Sequence, residues 1–299
     1  MTGDAEADVQ TSPVTVVIVT RNRCGSLLAT VKRLSHLPEA PPIVVVDNGS
    51  TDGTVEALRA TFPEVSVLAW PDNIGAAGRN LGVALSGTRY VAFCDDDSWW
   101  EPGALEQAST ILDADPRIGL IAGRVIVEPA GDVDPTCDLM ARSPLPAPAG
   151  FEGVPVLGFL ACASVIRRPV FWEVGGFHRR LGVGGEEHLV ALDLATGGWL
   201  QSYAPTVVAH HQPHARNTVD RTWQMRRNEL WSAWLRYRLP DAARATWRCA
   251  AEALTDRSSR KALTMALTGV LWVLRERRPV TARVQAMVRL CADDRSATI

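Results

Sequence analysis

Short apolar runs alternate with amphipathic segments along the first third of the chain. The runs at residues 14–20, 43–46 and 65–69 are rich in β-branched side chains, as buried strands are. Apolar residues between 27 and 34 recur at helical spacing, and the segment 54–61 predicts a second helix. This regular alternation predicts parallel β-α-β units with right-handed crossovers.

The alternation continues in the middle of the chain. Apolar runs at residues 90–94, 118–127, 157–166 and 207–211 predict four more strands. The helices predicted between them are 105–112, 170–174 and 187–197. Residues 128–154 are rich in proline, glycine and alanine without a clear period, which predicts a long loop that is mobile or faces the substrate.

Beyond residue 217 the pattern changes to helices alone, with three apolar faces at helical spacing. Their members are Leu230, Trp231, Trp234 and Leu235; then Ala243, Trp247, Ala250 and Leu254; then Leu263, Leu267, Val270 and Leu274. We therefore predict an α/β domain over residues 12–215, with a Rossmann-like mixed sheet that is mostly parallel and flanked by helices. A basic, tryptophan-rich helical appendage is predicted over residues 216–299.

Charge divides the chain at the same place. The 299 residues carry a net charge of −2. Residues 216–299 hold 17 Lys and Arg against 8 Asp and Glu, a net of +9, which leaves −11 for residues 1–215. The basic segment either packs on the acidic one or binds an anionic lipid surface, and both interpretations stay open. Nothing in this balance indicates a nucleic-acid partner.

Targeting signals are absent from the sequence pattern. The N-terminus has no basic stretch followed by an apolar one, so we expect no signal peptide. The longest late apolar stretch, residues 262–274, is shorter than the about 20 residues that span a bilayer. The six cysteines include no C-x-x-C pair, which is typical of reduced thiols. We expect a cytoplasmic protein, with peripheral attachment to the inner face of the membrane left open.

Three consecutive carboxylates, Asp95, Asp96 and Asp97, end the apolar run at residues 90–94. Open α/β sheets bind their ligands at the carboxyl ends of strands, where these side chains would lie. Their mutual repulsion costs stability unless a cation offsets it, and oxygen ligands of this kind suit Mg²⁺ or Mn²⁺. The alternative is an acidic loop in which Asp97 or Ser98 caps the next helix.

Polar residues also follow other predicted strands. Asp47 begins the segment after the second strand, and the glycine-rich residues 73–82 precede the aspartates. The spacing of these glycines does not match G-x-G-x-x-G, so we expect close backbone approach at a helix start, with Arg79 facing the same pocket as Asp47. Glu186 and Glu187 follow a flexible glycine loop, where a helix dipole would also stabilise them.

Six segments together resemble family 2 glycosyltransferases of the GT-A fold, including bacterial rhamnosyl- and hexosyltransferase-like members. They are Val16–Arg23, Val46–Asp52, Asn73–Asn80, Phe93–Asp97, Gly175–Phe177 and Gly185–Glu187. The resemblance covers residues 14–212. It implies hexosyl or deoxyhexosyl transfer from a UDP, dTDP or GDP sugar to a hydroxyl acceptor, and it leaves the sugar, the base and the acceptor open.

The resemblance assigns the nucleotide sugar to the ends of the first strands. The contacts that it implies are Thr20, Asn22, Asp47, Arg79, Asp95 and Asp96. Among them Asp47 would read the base with help from Arg79, and Asp95 would lie nearest the ribose, a place that Asp96 could also take. Asp97 would hold Mg²⁺ or Mn²⁺ against the diphosphate as the last residue of a D-x-D motif.

The resemblance also implies a carboxylate base, which removes the proton of the acceptor hydroxyl and so permits direct attack with inversion at C1. The family's Glu-Asp pair reads Glu186-Glu187 here. Glu187 matches the base but is one methylene longer than the usual aspartate, so the choice between the two glutamates stays open. A metal-binding histidine of many relatives matches His210 or His211, of which we favour His211, and core packing is the alternative for either.

Several assignments remain open after this comparison of motifs. Trp99 and Trp100 lie near the expected acceptor side, where aromatic faces stack on sugars, but they would equally pack under the next helix. A sugar nucleotidyltransferase is a second reading, although residues 20–25 lack the glycines of a triphosphate loop. A catalytically inactive binding module is a third. The sequence also leaves open a homodimer and peripheral membrane association through the basic C-terminal helices.

Overall fold

The computed structural model describes residues 12–213 and 222–297. We call the first segment the body and the second the C-terminal helices. In the body, ten strands form one sheet that is flanked by helices. The predicted boundary between residues 215 and 216 lies outside the described residues, so the division into two domains stays a prediction.

The strands are β1 (Val14–Thr20), β2 (Ile43–Asn48), β3 (Ser66–Trp70), β4 (Tyr90–Asp95), β5 (Ser98–Trp100), β6 (Ile118–Val127), β7 (Asp132–Val133), β8 (Val154–Pro155), β9 (Ser164–Arg167) and β10 (Leu200–His211). The helices of the body are α1 (Cys24–Leu34), α2 (Thr54–Thr61), α3 (Gly78–Leu85), α4 (Ala104–Ala114), α5 (Pro135–Ala141), α6 (Arg168–Glu173) and α7 (Glu186–Thr196). The C-terminal helices are α8 (Thr222–Arg236), α9 (Leu239–Glu252), α10 (Arg257–Leu267), α11 (Val270–Glu276) and α12 (Ala282–Ala297).

The sheet is mixed, with the strand order β3-β2-β1-β4-β9-β6-β10-β5. The first four strands in this order run parallel to one another, and β6 runs parallel to β10. β9 lies antiparallel between β4 and β6, and β5 pairs antiparallel with β10 at the far edge. This arrangement confirms the predicted α/β sheet with flanking helices.

The longest apolar runs form central strands because both faces of the sheet are covered. β2 is buried along its whole length, and β1 along nearly all of it. α1 and α4 each turn an apolar stripe inward, which fully buries Leu27, Val31, Leu105 and Leu112. Helical spacing in the sequence and burial in the structure therefore agree for these elements.

β10 is longer than the apolar pattern predicted. It begins at Leu200, whereas the sequence predicted a strand only over residues 207–211. Gln201 and Ser202 are buried in its first half, and Gln201 Nε2 donates a hydrogen bond to the carbonyl of Ala191 at 2.9 Å. Because buried polar side chains such as Gln201 have internal partners, a prediction based on hydrophobicity misses this part of the strand.

Other segments also differ from the prediction. The strand expected at residues 157–166 is reduced to β9, which follows a single 3₁₀ turn. The expected loop at residues 128–154 contains α5, whose N-cap Asp134 accepts a hydrogen bond from the Thr136 amide at 2.8 Å. Ser98 begins β5, and α4 starts only at Ala104, so the aspartate triplet is not its cap.

α8 is the helix on which α9, α10 and α11 pack, whereas α12 packs on α7 through Leu192 and Val284. One cluster joins α8 to α7 and α11, through Leu181, Leu189, Trp231, Leu235, Trp272 and Val273. A second joins it to α9 and α10, through Leu230, Cys249 and Ala262. No helix within residues 12–213 or 222–297 has both the length and the apolar character needed to span a bilayer.

Candidate active site

The carboxyl ends of the parallel strands bring the predicted site residues together. Thr20 at the end of β1 lies in register with Asp47 of β2. On the other side of β1, Val19 lies in register with Asp95 at the end of β4. Three strand ends therefore present polar side chains at one edge, as expected for an open α/β sheet.

The middle carboxylate of the triplet is turned inward toward β1 and α1. Asp96 accepts hydrogen bonds from Thr20 Oγ1 at 2.8 Å and pairs with Arg23 Nε at 2.9 Å. Its backbone carbonyl accepts from Ser26 Oγ at 2.7 Å and Thr30 Oγ1 at 3.0 Å. Burial raises the pKa of Asp96 to about 7, against the charge of Arg23 and the hydrogen bond of Thr20. Asp96 therefore anchors the turn after β4 to β1 and α1. Asp95 faces Arg79 instead, and Asp97 lies beside His211 as well as Arg23.

Asp97 lies between an arginine and a histidine. Its Oδ2 is 2.5 Å from Arg23 Nη2, and its Oδ1 is 3.4 Å from His211 Nε2. Burial opposes ionisation, but the hydrogen bond to His211 and the charge of Arg23 lower the pKa of Asp97 below its usual value. The same hydrogen bond raises the pKa of His211. His210 instead contacts Glu128 Oε1 at 2.9 Å, so His211 is the histidine that shares a site with Asp97.

A divalent cation fits the pair formed by Asp97 and His211. Two ligands about 2.1 Å from one ion and at right angles lie about 3 Å apart, close to the separation of their facing atoms. The described residues contain no group of three or more His, Cys, Asp or Glu side chains that could hold a metal by itself. Cations of the Mg²⁺ type usually complete their coordination with water and substrate phosphates, so two protein ligands suffice for such a site.

Arg79 connects the aspartate triplet to the glutamate pair. Its Nη2 is 2.6 Å from Asp95 Oδ1, and its Nη1 is 3.6 Å from Glu186 Oε1. The side chain is buried, with its guanidinium 5.3 Å from the ring centroid of Phe177. Burial disfavours the charge, but the carboxylates of Asp95, Glu186 and Glu187 raise the pKa of Arg79 further above its usual range. Arg79 thus compensates the negative charge of these carboxylates from a buried position.

The loops after β1 and β2 are tied together. Asp47 is buried and accepts hydrogen bonds from the amide of Ser50, at 2.9 Å, and from its hydroxyl. Asn22 adopts a left-handed conformation with φ 52°, and its Oδ1 accepts from the Thr51 amide at 2.7 Å. The Asn22 amide in turn donates to Ser50 Oγ at 2.8 Å. Asn22 is therefore held by the backbone of the neighbouring loop, and Asp47 is held by Ser50 of the loop that follows it.

The loop after β3 touches the glycine loop that precedes α7. The amide of Ala76 donates to the carbonyl of Gly182 at 3.0 Å. Gly75 has φ +59°, and a Cβ at this position would lie 2.8 Å from the carbonyl carbon of Gly182. Asn48 Nδ2 reaches the same segment through the Gly75 carbonyl at 3.0 Å. This close backbone approach agrees with the expectation for the glycine-rich residues 73–82.

Glu186 and Glu187 begin α7 but have different surroundings. Glu186 is buried, accepts a hydrogen bond from the Gly184 amide and faces Arg79. Glu187 is half-buried, and its carboxylate has no hydrogen-bond or ion-pair partner within residues 12–213 and 222–297. Burial raises the pKa of both groups, and the charge of Glu186 adds to the effect on Glu187. Glu187 is thus the carboxylate that is available to accept a proton.

The two tryptophans of β5 have separate environments. Trp100 is buried in the main core, beyond the reach of an acceptor, so packing accounts for its position. Trp99 is half-buried between the guanidinium of Arg33, 3.6 Å from its ring centroid, and the parallel ring of His210 at 5.3 Å. Contact with an acceptor remains a prediction for Trp99 only.

Two residues that bind the aspartate triplet or the loop before α7 were not predicted from the sequence. Arg23 pairs with both Asp96 and Asp97, although the sequence shows it only as one of two arginines after β1. Asn228 of α8 is fully buried, and its Nδ2 donates to the carbonyls of Leu181 at 2.9 Å and Gly184 at 2.6 Å. A single asparagine inside a helix carries no signal in the sequence that would reveal this contact.

The family model for glycosyl transferase family 2 matches residues 15–175, more than half of the chain. The chain therefore belongs to this family and is a glycosyltransferase, as the motifs predicted. The matched residues include Asp47, Arg79 and the aspartate triplet. The glutamate pair and His211 follow the matched segment.

Curated relatives are also glycosyltransferases. The chain is 28% identical over 240 residues to N-acetylglucosaminyl-diphospho-decaprenol L-rhamnosyltransferase of Mycobacterium tuberculosis, a match covering 69% of this chain and 78% of the relative. It is 30% identical over 224 residues to the pre-mycofactocin glycosyltransferase of the same organism, covering 70% of this chain and 45% of that one.

Solved structures share the fold. The mannosyltransferase PcManGT from Pyrobaculum calidifontis, solved with GDP-Man and Mn²⁺, has a TM-score of 0.58 at 20% identity, covering 95% of this chain and 88% of that one. GalNAc-T7, solved with UDP, GalNAc and Mn²⁺, has a TM-score of 0.59 at 15% identity, covering 78% of this chain and 49% of that one. At these identities the likeness establishes the GT-A architecture alone.

Proposed function

We propose that this glycosyltransferase moves a hexose or deoxyhexose from a nucleotide-diphosphate sugar to an acceptor hydroxyl with inversion at C1, using Glu187 as the general base and a divalent cation. The observation that carries the proposal is the Glu187 carboxylate, which has no partner among the described residues and lies in the same site as Asp95 and Arg79. An unpaired carboxylate with a raised pKa is suited to remove a proton near neutral pH.

The donor would bind at the ends of β1, β2 and β4. Asp47, held by Ser50, would recognise the base, and Thr20 and Asn22 would flank the nucleotide. Asp95, already paired with Arg79, would face the ribose. Asp96 would serve the site indirectly, because its oxygens are engaged by Thr20 and Arg23. A base of the uridine, thymidine or guanosine type remains compatible with this pocket.

Asp97 and His211 would hold the cation, Mg²⁺ or Mn²⁺. When bound, such a cation stabilises the negative charge that develops on a diphosphate leaving group. Arg23, beside Asp97, would add positive charge on the same side of the site. Proton removal by Glu187 contributes typically about 10²- to 10⁴-fold.

The rhamnosyltransferase relative supports a deoxyhexose donor and a lipid-linked acceptor for this chain, since its name specifies L-rhamnosyl transfer to N-acetylglucosaminyl-diphospho-decaprenol. Membership of glycosyl transferase family 2 argues against the sugar nucleotidyltransferase reading. The homodimer remains a prediction.

The test of the base compares Glu187→Gln with Glu187→Asp, which retains a carboxylate. The donor is first identified by thermal shift against a panel of UDP, dTDP and GDP sugars with Mn²⁺. Release of nucleoside diphosphate is then measured. We expect Glu187→Gln to bind the donor like the parent and to lose about 10²- to 10⁴-fold in turnover, with partial activity in Glu187→Asp. Parent turnover in Glu187→Gln would show that another group is the base.

The cation site is tested with a pair of adjacent histidines. His211→Ala should weaken the Mn²⁺-dependent part of donor affinity, whereas His210→Ala, which loses its contacts with Glu128 and Trp99, should leave it unchanged. Donor affinity is measured by calorimetry with Mn²⁺ and with EDTA. Equal Mn²⁺ dependence in the parent and in His211→Ala would remove His211 from the site.

A further inference from the structure

Two of the three apolar faces predicted for the C-terminal helices do not pack inside the protein. The face on α8 is buried, as expected. On α9, by contrast, Trp247 and Leu254 are 76% and 81% exposed. Leu267, Leu271 and Leu274, which we call the leucine stripe, are 55–75% exposed. Large apolar side chains grouped at the surface mark interaction sites more often than isolated ones do.

The helices that carry these side chains are nevertheless docked. α11 buries Trp272 and Val273 on its inner side, and Trp272 lies 5.2 Å from Trp231 of α8, measured between ring centroids. α10 buries Ala262 against the same helix. The exposed leucines therefore lie on the opposite, outward side of helices whose inner side is already filled.

The leucine stripe covers the end of α10 and part of α11, and an exposed arginine lies on each side of it in the sequence. Arg260 and Leu267 are seven residues apart on α10, and Leu271 and Leu274 are three residues apart on α11, so the members of each pair share a helical face. Arg278 follows the end of α11. Thr268 and Gly269 form the turn between the two helices, and their amides donate to the carbonyls of Met265 and Ala266 at 3.2 and 3.0 Å. All five side chains are exposed.

Charge indicates what would cover this face. Arg248, Arg257, Arg260, Arg275 and Arg278 are exposed, and within the described parts of the chain none of them forms an ion pair. A second copy of the chain would bring these like charges together. An anionic lipid surface would neutralise them, and arginine stems lie along apolar surface while their charged ends reach phosphates.

We propose that the leucine stripe, together with Trp247 and Leu254, inserts into the headgroup region of an anionic bilayer. Arg260 and Arg278 would contact lipid phosphates at the two ends of the stripe. Exposed leucine and tryptophan on helices that also expose basic residues are typical of proteins that lie in the membrane interface. This surface goes beyond the proposed transfer reaction and does not depend on it.

The experiment is flotation of the full chain with vesicles of phosphatidylcholine, alone or mixed with phosphatidylglycerol. The stripe variant carries Leu267→Gln, Leu271→Gln and Leu274→Gln. The matched control carries Leu85→Gln, Leu139→Gln and Leu290→Gln, at leucines that are 41–52% exposed outside the stripe. Thermal denaturation verifies that both variants fold. We expect the stripe variant to lose about 100-fold in partition into anionic vesicles and the control to bind like the parent.

The charge contribution is measured with single substitutions. Arg248→Gln should weaken binding to anionic vesicles about fivefold, whereas Arg59→Gln, an exposed arginine of α2, should not change it. The difference should vanish with phosphatidylcholine alone. Equal effects of the two substitutions would contradict a charge-assisted contact at α9.

Three outcomes would overturn the proposal. One is a parent chain that does not float with anionic vesicles. Another is equal flotation of the stripe variant and the parent. The last is a dimer of the parent in sedimentation velocity that becomes a monomer in the stripe variant without any vesicle binding, because the face would then be an interface between copies. Donor binding by the parent remains measurable in each case, so failure here is distinct from failure of the transferase assignment.

Discussion

The active site and core of the body place arginine and leucine in environments opposite to those on the outer faces of α10 and α11. In the body, Arg79 is buried between carboxylates, and the leucines of α1 lie under the sheet. In the C-terminal helices, Arg260 and Leu271 are both exposed. A wide sheet offers an apolar floor to every helix that packs on it. α8 is a single helix and cannot bury the apolar faces of three others, so part of their apolar surface stays outside.

The contrast also concerns how each region uses charge. Ion pairs in the body fix the positions of Asp95, Asp96 and Asp97 before any ligand binds, as preorganised sites require. Arg248, Arg257, Arg260 and Arg275 of α9 to α11 form no ion pair within the described residues and remain available to a mobile anionic partner. The first arrangement favours precise geometry, and the second favours adaptable contact.

Arg79→Leu tests this contrast most severely. It leaves Asp95 and Glu186 without their buried counter-charge, so we expect the free energy of unfolding to fall by about 3–5 kcal/mol. Arg260→Leu, the same change on an exposed helix face, should stay within about 0.5 kcal/mol of the parent. Urea denaturation measures both. A small loss for Arg79→Leu would mean that the carboxylates find another partner.

A pair of leucines tests the same contrast within the C-terminal helices. Leu235→Ala removes a buried side chain between α8 and α7, and we expect a loss of about 2–5 kcal/mol in the free energy of unfolding. Leu271→Ala on the leucine stripe should change it by no more than about 0.5 kcal/mol. Similar losses at the two positions would show that the stripe is buried in solution.

Asn228→Ala tests whether the C-terminal helices influence the active site of the body. The change removes the asparagine donor from the Gly184 carbonyl and one of two donors from the Leu181 carbonyl, which also accepts from Arg227; we expect a cost of about 1–3 kcal/mol of stability. Because this loop carries the glutamate pair, turnover should fall more than donor affinity. Gln224→Ala on the same helix serves as the control. Unchanged turnover in a folded Asn228→Ala protein would confine α8 to a packing role.

The half-buried Glu187 of the site should also make stability depend on pH. Burial raises the pKa of Glu187 above its value in the unfolded chain, about 4.3. At a pH between the unfolded and the folded pKa of Glu187, the folded protein binds more protons than the unfolded chain. This contribution to the free energy of unfolding is therefore full below the unfolded pKa and is lost as the pH rises through the folded pKa. A single group changes the free energy of unfolding by at most about 1.4 kcal/mol per pH unit. Urea midpoints across this range should depend less on pH in Glu187→Gln, and an unchanged dependence would contradict the shift.

The sequence predicts the strands whose apolar runs are unbroken. β1 and β6 have the predicted bounds, because both faces of the sheet demand apolar side chains there. The first half of β10 escapes prediction because buried Gln201 finds an internal hydrogen-bond partner, which hydrophobicity does not register. The same reasoning places Asp47 and the aspartate triplet at one edge, because each follows a strand that pairs parallel with β1.

Residues whose part depends on tertiary geometry could not be predicted in this way. Arg23 reaches two aspartates only because α1 starts beside the end of β4, and Asn228 reaches the glycine loop only because α8 packs on α7. Periodicity alone also left open whether the apolar faces on α9 to α11 pack on the body or meet a lipid surface. It records which side of a helix is apolar, and it contains no information on whether a partner within the chain is large enough to cover that side.

The contact between Gly75 and Gly182 constrains how this enzyme can diverge. Both residues have positive φ, and their backbones meet without room for a methyl group on Gly75. A mutation that displaces one loop therefore shifts the other. New donor preferences that require a different loop after β3 must arise together with compensating changes before α7, so this pair of loops is expected to covary in descendants of the sequence.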